Sequence, residues 1–327
     1  MKPLRVFHGW RGLTPAERGA AVAVGKLDGL HLGHQAVVAE ASAAARRLGA
    51  PLGVVSFETH PLKLFDPGGQ PFRLTTSRQF ARVAERLVGV QRLYLLPFGQ
   101  EMADLTERLF VERVLVGGLR VRHVAVGFNF VFGKDRAGTP DALRRYGDEY
   151  GFSVSVLDPV RSEEGEPISS SAIRALLRSG DPRSAAKLLG RPFAIEGVVA
   201  KGRQLGRKLG FPTANVDLGD YVVPKLGVYA TRTRLRDGRE LGGVANLGQN
   251  PTTGIVDPRL EVFLFDFSEE IYGETIETDL LEFLRPEVAF RDASGEFDVQ
   301  ALVAQMHRDA AEAKRVLSSF GPGNPVG

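Results

Sequence analysis

The 327-residue sequence contains no cysteine, a single tryptophan and three methionines. Without cysteine, the chain can form no disulfide framework, no thiolate zinc or iron–sulfur site and no cysteine nucleophile. It also lacks a strong excess of either charge, since 42 Lys and Arg residues against 39 Asp and Glu residues leave a formal charge of +3. So mild a balance is not typical of a nucleic-acid-binding protein, and we expect no nucleic-acid partner.

Long apolar runs are missing as well. No stretch reaches the ~18 consecutive apolar residues of a membrane helix. The most apolar window, residues 121–132, is interrupted by Arg122, His123 and Asn129. The first five residues lead into no apolar stretch like that of a secretory signal. We therefore expect a cytoplasmic protein with no membrane partner, and a cysteine-free chain fits a reducing compartment.

The length favours two domains at roughly 150 residues each, and the secondary-structure pattern changes part-way along the chain. Residues 1–185 alternate short apolar strand patterns with amphipathic helical patterns, which predicts an α/β domain with a parallel sheet. Residues 186–320 carry many short strand patterns and turn signals before one helical pattern. This predicts a mostly β domain, a small antiparallel barrel or sandwich with a terminal helix. Residues 321–327 are expected to be a flexible tail.

A loop with several glycines, from Gly25 to His34, joins the first buried strand pattern to the first helix. Glycine lets a backbone approach a ligand closely, and a helix N-terminus favours an anion. The imidazoles of His31 and His34 can donate hydrogen bonds to phosphate oxygens. Two alternatives stay open: the glycines serve a tight turn, or the histidines ligate a metal with Asp28. The Walker and G-x-G-x-x-G patterns are both absent from the chain.

A second glycine-rich segment, also basic, ends at Asn215. Flexible glycines beside cationic side chains can surround a triphosphate. Thr213 and Asn215 present two oxygen ligands at i and i+2 of an extended segment, which suits Mg²⁺ shared with substrate phosphates. The alternative is a barrel turn in which this Thr and Asn are incidental. The residues of the segment that would contact a nucleotide are Gly202, Arg207, Lys208 and Gly210.

Several motifs together resemble one family. His31-Leu32-Gly33-His34 is similar to the H-x-G-H signature of the nucleotidyltransferase superfamily. Over nearly its whole length, the chain resembles the bifunctional riboflavin kinase/FMN adenylyltransferases, the bacterial FAD synthetase family. The other motifs that carry this resemblance are Phe57-Glu58-Thr59-His60-Pro61, Gly127-Phe128-Asn129-Phe130, Ile168-Ser169-Ser170-Ser171, Gly210-Phe211-Pro212-Thr213-Ala214-Asn215, Gly243-Val244-Ala245-Asn246-Leu247-Gly248 and Phe283-Leu284-Arg285-Pro286-Glu287.

For the first half, the resemblance implies a Rossmann-like nucleotidyltransferase domain. In this family, the FMN phosphate attacks the α-phosphate of ATP and gives FAD and pyrophosphate. His31 and His34 would neutralise the phosphates in the transition state, and the loop residues Gly25, Asp28 and Gly29 would bind the nucleotide.

The resemblance also assigns a second phosphate-binding segment and a flavin contact. Ser169, Ser170 and Ser171 lie at a predicted helix start, with Arg174 one turn further on. Hydroxyls, exposed N–H groups and an Arg can hold pyrophosphate, and an ordinary serine cap is the alternative. Asn129, a polar residue between aromatic neighbours, would help to position the flavin.

For the second half, the resemblance implies a riboflavin kinase barrel. Glu261 interrupts an apolar strand pattern, and alternation alone favours the solvent face. The family's catalytic glutamate occupies this place, so Glu261 would accept the proton of the riboflavin 5′-hydroxyl. Arg285 would lie near the flavin or the nucleotide. The implied substrates are ATP, riboflavin and FMN, with Mg²⁺ bound by Thr213 and Asn215, and the sequence indicates no particular oligomeric state.

Two positions depart from the family pattern. Members usually carry an aromatic residue where Leu27 stands and a small or polar residue where Lys26 stands. The open questions are whether Leu27 alters the packing near the nucleotide and whether Lys26 contacts phosphate or solvent. Two rival functions also remain: a nucleotidyltransferase for another phosphorylated substrate, and a flavin-binding regulatory protein without catalysis.

Overall fold

The computed structural model of the chain describes residues 3–58, 69–202, 206, 209–249, 258–291 and 294–320. The predicted tail, residues 321–327, lies outside them. The chain divides into two compact units. Unit 1 comprises residues 1–70 and 77–169, and unit 2 comprises residues 71–76 and 170–327.

Unit 1 is built on a parallel sheet with the strand order β1-β4-β3-β2-β5-β6. Its strands are β1 (Arg5–His8), β2 (Ala21–Val24), β3 (Leu52–Phe57), β4 (Arg92–Leu96), β5 (His123–Gly127) and β6 (Ser153–Leu157). Its helices are α1 (Leu32–Leu48), α2 (Ser77–Val88), α3 (Gln100–Ala103), α4 (Glu107–Phe110) and α5 (Pro140–Tyr150), and a π-helical segment (Val111–Gly118) follows α4.

Apolar residues explain why this sheet is covered on both faces. Strand β2 is buried along its whole length, as a central parallel strand must be. One core contains Val22, Val124 and Leu143, and a second contains Ala23, Val38 and Leu93. The predicted α/β domain with a parallel sheet is confirmed.

Unit 2 contains an antiparallel sheet with the strand order β7-β12-β9-β10-β11-β8. Its strands are β7 (Phe193–Val198), β8 (Thr213–Asp217), β9 (Gly227–Arg234), β10 (Glu240–Gln249), β11 (Pro258–Leu264) and β12 (Thr275–Arg285). Its helices are α6 (Ser170–Ser179), α7 (Pro182–Leu189) and α8 (Val299–Ser319).

The sheet of unit 2 curls, because Ala200, just after edge strand β7, forms a bridge with Asn215 of the other edge strand β8. Tyr229, Val262 and Leu280 fill the inside of the curl, and α8 packs on the other side of β9 and β10. The prediction of a small antiparallel barrel with a terminal helix is confirmed.

The division between the units does not follow a single point in the sequence. The segment 71–76 belongs to unit 2, where the backbone N–H groups of Phe72 and Arg73 donate to the carbonyl of Asp220. The boundary predicted between residues 185 and 186 falls inside α7, which packs with the barrel. Within the described ranges, no helix combines the length and apolarity needed to cross a membrane.

Candidate active sites

The loop from Gly25 to His34 connects the carboxyl end of β2 to the start of α1. His31 is the N-cap of α1, and its Nδ1 accepts a hydrogen bond of 3.3 Å from the backbone N–H of His34. A ring nitrogen that accepts carries no proton, so the ring proton of a neutral His31 is on Nε2. A neutral His31 therefore caps the helix through Nδ1 and carries its donor proton on Nε2, next to the N-terminus of α1, an end that favours anions.

The rings of His31 and His34 are stacked, with centroids 3.6 Å apart and planes at 21°. Glycine at position 33 makes room for this pair, because a Cβ there would lie 3.1 Å from Cε1 of His31. The same Cβ would lie 3.6 Å from the carbonyl oxygen of Ile168, so the chain passes beside the histidines just before Ser169. The structure thus brings the segment at Ser169 to the H-x-G-H motif.

Two leucines in this loop have left-handed backbone angles, with φ of 49° at Leu27 and 42° at Leu30. Such angles are strained for leucine and persist only where packing holds them. Leu27 is 3 % exposed and Leu30 is fully buried, so the core supplies that restraint. Leu27 therefore occupies a core position, whereas the side chain of Lys26 is exposed and its carbonyl accepts from the hydroxyl of Ser56 at 2.9 Å.

The remaining residues of the loop form its tight turn. Gly29 has a φ of 84°, which favours glycine. Gly25 donates its N–H to the carbonyl of Val55, and Asp28 is buried. Across the described parts of the chain, no three His, Asp or Glu side chains gather as a metal site.

Asn129 follows β5, the strand that pairs with β2 in the parallel sheet. The carboxyl ends of parallel neighbours meet at one edge, so Asn129 and the loop after β2 emerge at the same edge. Asn129 is exposed, and the neighbouring Phe128 is 49 % exposed. Phe130 instead stacks on the buried Phe132, with ring centroids 5.5 Å apart. The polar group and one apolar ring are thus presented at the edge of the sheet where ligands bind in such folds.

The predicted phosphate-binding segment is split between the two units. Ser169 ends unit 1, whereas Ser170 begins α6 and, with Ser171 and Arg174, belongs to unit 2. Arg174 donates from Nε to the carbonyl of Phe72 at 2.6 Å, and its guanidinium lies over the Phe72 ring. Arg174 thus holds the segment 71–76 within unit 2, and its phosphate contact stays a prediction.

In unit 2, three polar side chains form a row across neighbouring strands. Glu261 of β11 lies opposite Asn215 of β8 on one side and opposite Asn246 of β10 on the other. Directly opposed residues of antiparallel strands point to the same face, with Cβ atoms about 5 Å apart. Glu261 is half-buried on this face, not solvated as alternation alone suggested. Asn215 is only 7 % exposed.

Thr213 lines two neighbouring cavities in the described part of unit 2. Cavity A has a volume of about 310 Å³ and is lined by residues that include Gly202, Thr213, Asn215, Phe267 and Tyr272. Cavity B has a volume of about 260 Å³ and is lined by residues that include Thr213, Glu261, Phe211, Phe263, Leu302 and Met306. Cavity A is therefore next to the predicted metal ligands, and cavity B combines a carboxylate with aromatic and apolar walls.

The residues around Asn215 offer oxygen donors of the kind that bind a hard divalent cation. The amide Nδ2 of Asn215 donates to the carbonyl of Thr213 at 3.3 Å, which leaves Oδ1 available as a ligand. A Cβ on Gly202 would lie 2.5 Å from Nδ2 and 2.9 Å from Oδ1, so glycine is required beside this amide. Neutral oxygen donors suit Mg²⁺ when substrate phosphates supply the negative charge.

The other residues predicted for this unit are less directly placed. Gly210, with a φ of 84°, is exposed in a turn before Phe211. Arg207 and Lys208 lie outside the described residues. Arg285 lines cavity B, but its guanidinium forms two hydrogen bonds with Asp309 of α8, at 2.8 and 2.7 Å.

The sequence reasoning missed Asn246, Glu287 and Asp309, which all line cavity B. The amide of Asn246 donates to Glu287 at 3.2 Å. Asn246 and Glu287 lie inside motifs that carry the resemblance, but neither motif indicated a contact. The polar Asn246 in an apolar strand was a signal of the same kind as Glu261.

Two family models match the chain: one described as FAD synthetase over residues 13–172, and one described as riboflavin kinase over residues 189–317. A bifunctional riboflavin kinase/FMN adenylyltransferase of Pseudomonas fluorescens is 38 % identical over 316 residues, covering 96 % of this chain and 98 % of that protein. The protein of the same name from Bacillus subtilis is 33 % identical, covering 98 % and 99 %.

A solved structure from Streptococcus pneumoniae, named as a macrolide-efflux protein, has the same fold. Its TM-score is 0.81 at 31 % identity, and the match covers 95 % of this chain and 98 % of that one. The full-length relatives above 30 % identity and the two family matches all indicate the same family. This chain is a member of the bifunctional riboflavin kinase/FMN adenylyltransferase family.

Proposed function

We propose that this chain makes FAD from riboflavin in two ATP-dependent steps. The antiparallel barrel of unit 2 phosphorylates riboflavin to FMN, and the α/β domain of unit 1 transfers AMP from ATP to FMN. The two family matches, one on each side of the predicted boundary, support this division. We assign the reactions to the cytoplasm, where ATP is available.

In the first domain, an oxygen of the FMN phosphate attacks the α-phosphorus of ATP, and pyrophosphate leaves. Such a reaction needs positioning and charge neutralisation and no covalent intermediate with the protein. The Nε2–H of His31 and the first backbone N–H groups of α1 donate to the phosphate oxygens as charge builds up on them. His34, stacked on His31, acts on the same phosphates. Asn129 at the neighbouring strand end contacts the flavin.

In the barrel, Glu261 accepts the proton of the riboflavin 5′-hydroxyl while that oxygen attacks the γ-phosphorus of ATP. The adjoining positions of Glu261 and Asn215 support this, because the base must reach the attacking hydroxyl while the phosphate-binding groups hold the phosphorus atom that this hydroxyl attacks. Thr213 and Asn215 would hold Mg²⁺, which would supply neutralisation of the triphosphate charge. The flavin ring occupies cavity B and the adenine nucleotide occupies cavity A.

The single observation that carries the kinase assignment is the position of Thr213 and Asn215 beside Glu261, where cavities A and B meet. A nucleotidyltransferase with another substrate, or a regulatory flavin-binding protein, would not need this arrangement. Purified protein incubated with riboflavin, ATP and Mg²⁺ is expected to yield FMN and then FAD on chromatography. FMN without FAD would contradict adenylyl transfer, and bound but unchanged riboflavin would contradict phosphorylation. Adenylyl transfer would then be tested with FMN as the substrate.

The metal assignment has its own test. Removing divalent cations with EDTA is expected to abolish riboflavin phosphorylation, and Mg²⁺ is expected to restore it better than the larger Ca²⁺. Asn215→Ala is expected to stop phosphorylation while FMN is still converted to FAD. Full kinase activity in EDTA, or unchanged kinase activity of the variant, would contradict the metal site.

A further inference from the structure

A bidentate ion pair at cavity B joins Arg285, at the end of β12, to Asp309 in α8. Nε and Nη2 of the guanidinium donate to the two carboxylate oxygens at 2.8 and 2.7 Å, and Nη1 donates to the carbonyl of Pro286 at 2.9 Å. Asp309 also accepts from the amide of Gln305 at 2.8 Å. The two guanidinium nitrogens that face α8, Nε and Nη2, therefore both form hydrogen bonds within the protein.

This contact lies where α8 changes its surroundings. Ala313 and Val316, in the second half of the helix, are buried in a core with residues of β9 and β10. Leu302 and Met306, in the first half, are only partly buried and line cavity B. Leu302, Met306 and Asp309 follow one another at i, i+4 and i+7, so they share one helix face. Asp309 is thus the last residue of the cavity wall that α8 forms.

The burial of the pair matters for its effect. The side chain of Asp309 is 9 % exposed and that of Arg285 is 20 % exposed. A bidentate ion pair with so little solvent exposure fixes both the distance and the orientation between Arg285 and Asp309. An exposed ion pair does not have this effect. By comparison, Arg315 and Glu312 on the same helix form a pair that is 72 % and 43 % exposed.

We propose that Arg285 and Asp309 are a pair of positioning residues that fix the first half of α8 as the apolar wall against which the flavin ring binds. Arg285 therefore acts on riboflavin through Asp309 and not as a direct flavin ligand. This inference rests on the proposed assignment of riboflavin to cavity B. The positioning role and a direct contact with the flavin predict different results. If Arg285 were a direct ligand, its replacement would still weaken riboflavin binding in a protein that already lacks Asp309.

A double-mutant cycle separates them. Arg285→Met, Asp309→Leu and the double variant are compared with the unchanged protein for riboflavin Kd, measured by quenching of flavin fluorescence, and for kinase KM and kcat. Each single change is expected to raise Kd and KM for riboflavin about tenfold, and the double change about tenfold as well, since coupled residues are not additive. The KM for ATP is expected to stay constant.

Arg285→Lys keeps the charge but cannot form the bidentate contact, so it is expected to give an intermediate Kd for riboflavin. Asp309→Asn keeps the shape of the side chain and therefore guards against misfolding. Arg315→Gln is the matched control on the same helix and is expected to leave Kd unchanged. A hundredfold rise in Kd for the double variant would overturn the proposal, since Arg285 would then act independently of Asp309. If the unchanged protein binds riboflavin but makes no FMN, the kinase assignment fails while the binding cycle still decides this inference. If it binds no riboflavin, both fail.

Discussion

Replacing Gly202 by alanine tests the geometry of the proposed kinase site most sharply. The added Cβ would lie 2.5 Å from Nδ2, 2.8 Å from Cγ and 2.9 Å from Oδ1 of Asn215. Ordinary contacts between such atoms are about 3.5 Å, so the amide must move by about 1 Å. Asn215 is 7 % exposed and packed on Thr213, so it cannot move without losing its present orientation.

A misplacement of about 1 Å in a phosphate-positioning group reduces kcat about a hundredfold. We therefore expect Gly202→Ala to lower riboflavin phosphorylation to about 1 % while adenylylation of FMN in the same protein is retained. The rate of each step is measured by chromatographic separation of flavins, starting from riboflavin or from FMN.

Gly99→Ala is the matched control for this change. A Cβ at Gly99 meets nothing within 4 Å, and its φ of −122° suits alanine. This control is expected to leave both steps unchanged. A Gly202→Ala variant with normal kinase kcat would refute the reasoning, because Asn215 would then not need its observed position.

Three further predictions concern single residues. His31→Asn keeps a side-chain cap for α1 but removes the Nε2 donor, so FMN adenylylation should fall at least about a hundredfold with the thermal stability retained; an unchanged rate would remove His31 from catalysis. Burial raises the pKa of Asp279 to about 7, beside Arg232, so the native state keeps a proton that the unfolded chain has lost. The free energy of unfolding should therefore fall as pH rises from about 4 to about 7, and Asp279→Asn should flatten this slope in urea titrations; an identical slope would contradict the assignment. The buried hydroxyl of Thr231 has no hydrogen-bond partner among the described residues, so Thr231→Val should raise the free energy of unfolding by about 1 kcal/mol, and a loss of that size would contradict it.

Local signals predicted much of the fold. Polar residues that cap helices are one such signal: Thr139 caps α5 and Asp298 caps α8, and in each case the side-chain oxygen accepts the N–H three residues further on. The alternation of strand and helix patterns predicted the parallel sheet. The insertion of segment 71–76 into unit 2 had no such signal, because the pairing of Arg73 with Tyr221 joins residues far apart in sequence.

The candidate sites were predicted to a similar depth. Motifs identified Glu261 and Asn215 as candidate site residues, and the strand register places them opposite each other. Motifs could not reveal that Arg285 binds Asp309, since that contact depends on how α8 packs on β12. The left-handed angle of Leu30 was equally hidden, because leucine rarely adopts it without a surrounding core.

The central claim is that one chain carries two separate active sites, and reciprocal single-site variants test it most directly. Flavin products of His31→Asn and Glu261→Gln are measured with riboflavin and, separately, with FMN as the substrate. We predict that His31→Asn converts riboflavin to FMN and stops there, whereas Glu261→Gln converts FMN to FAD but leaves riboflavin unchanged. Loss of both steps in either folded variant would contradict two separate sites.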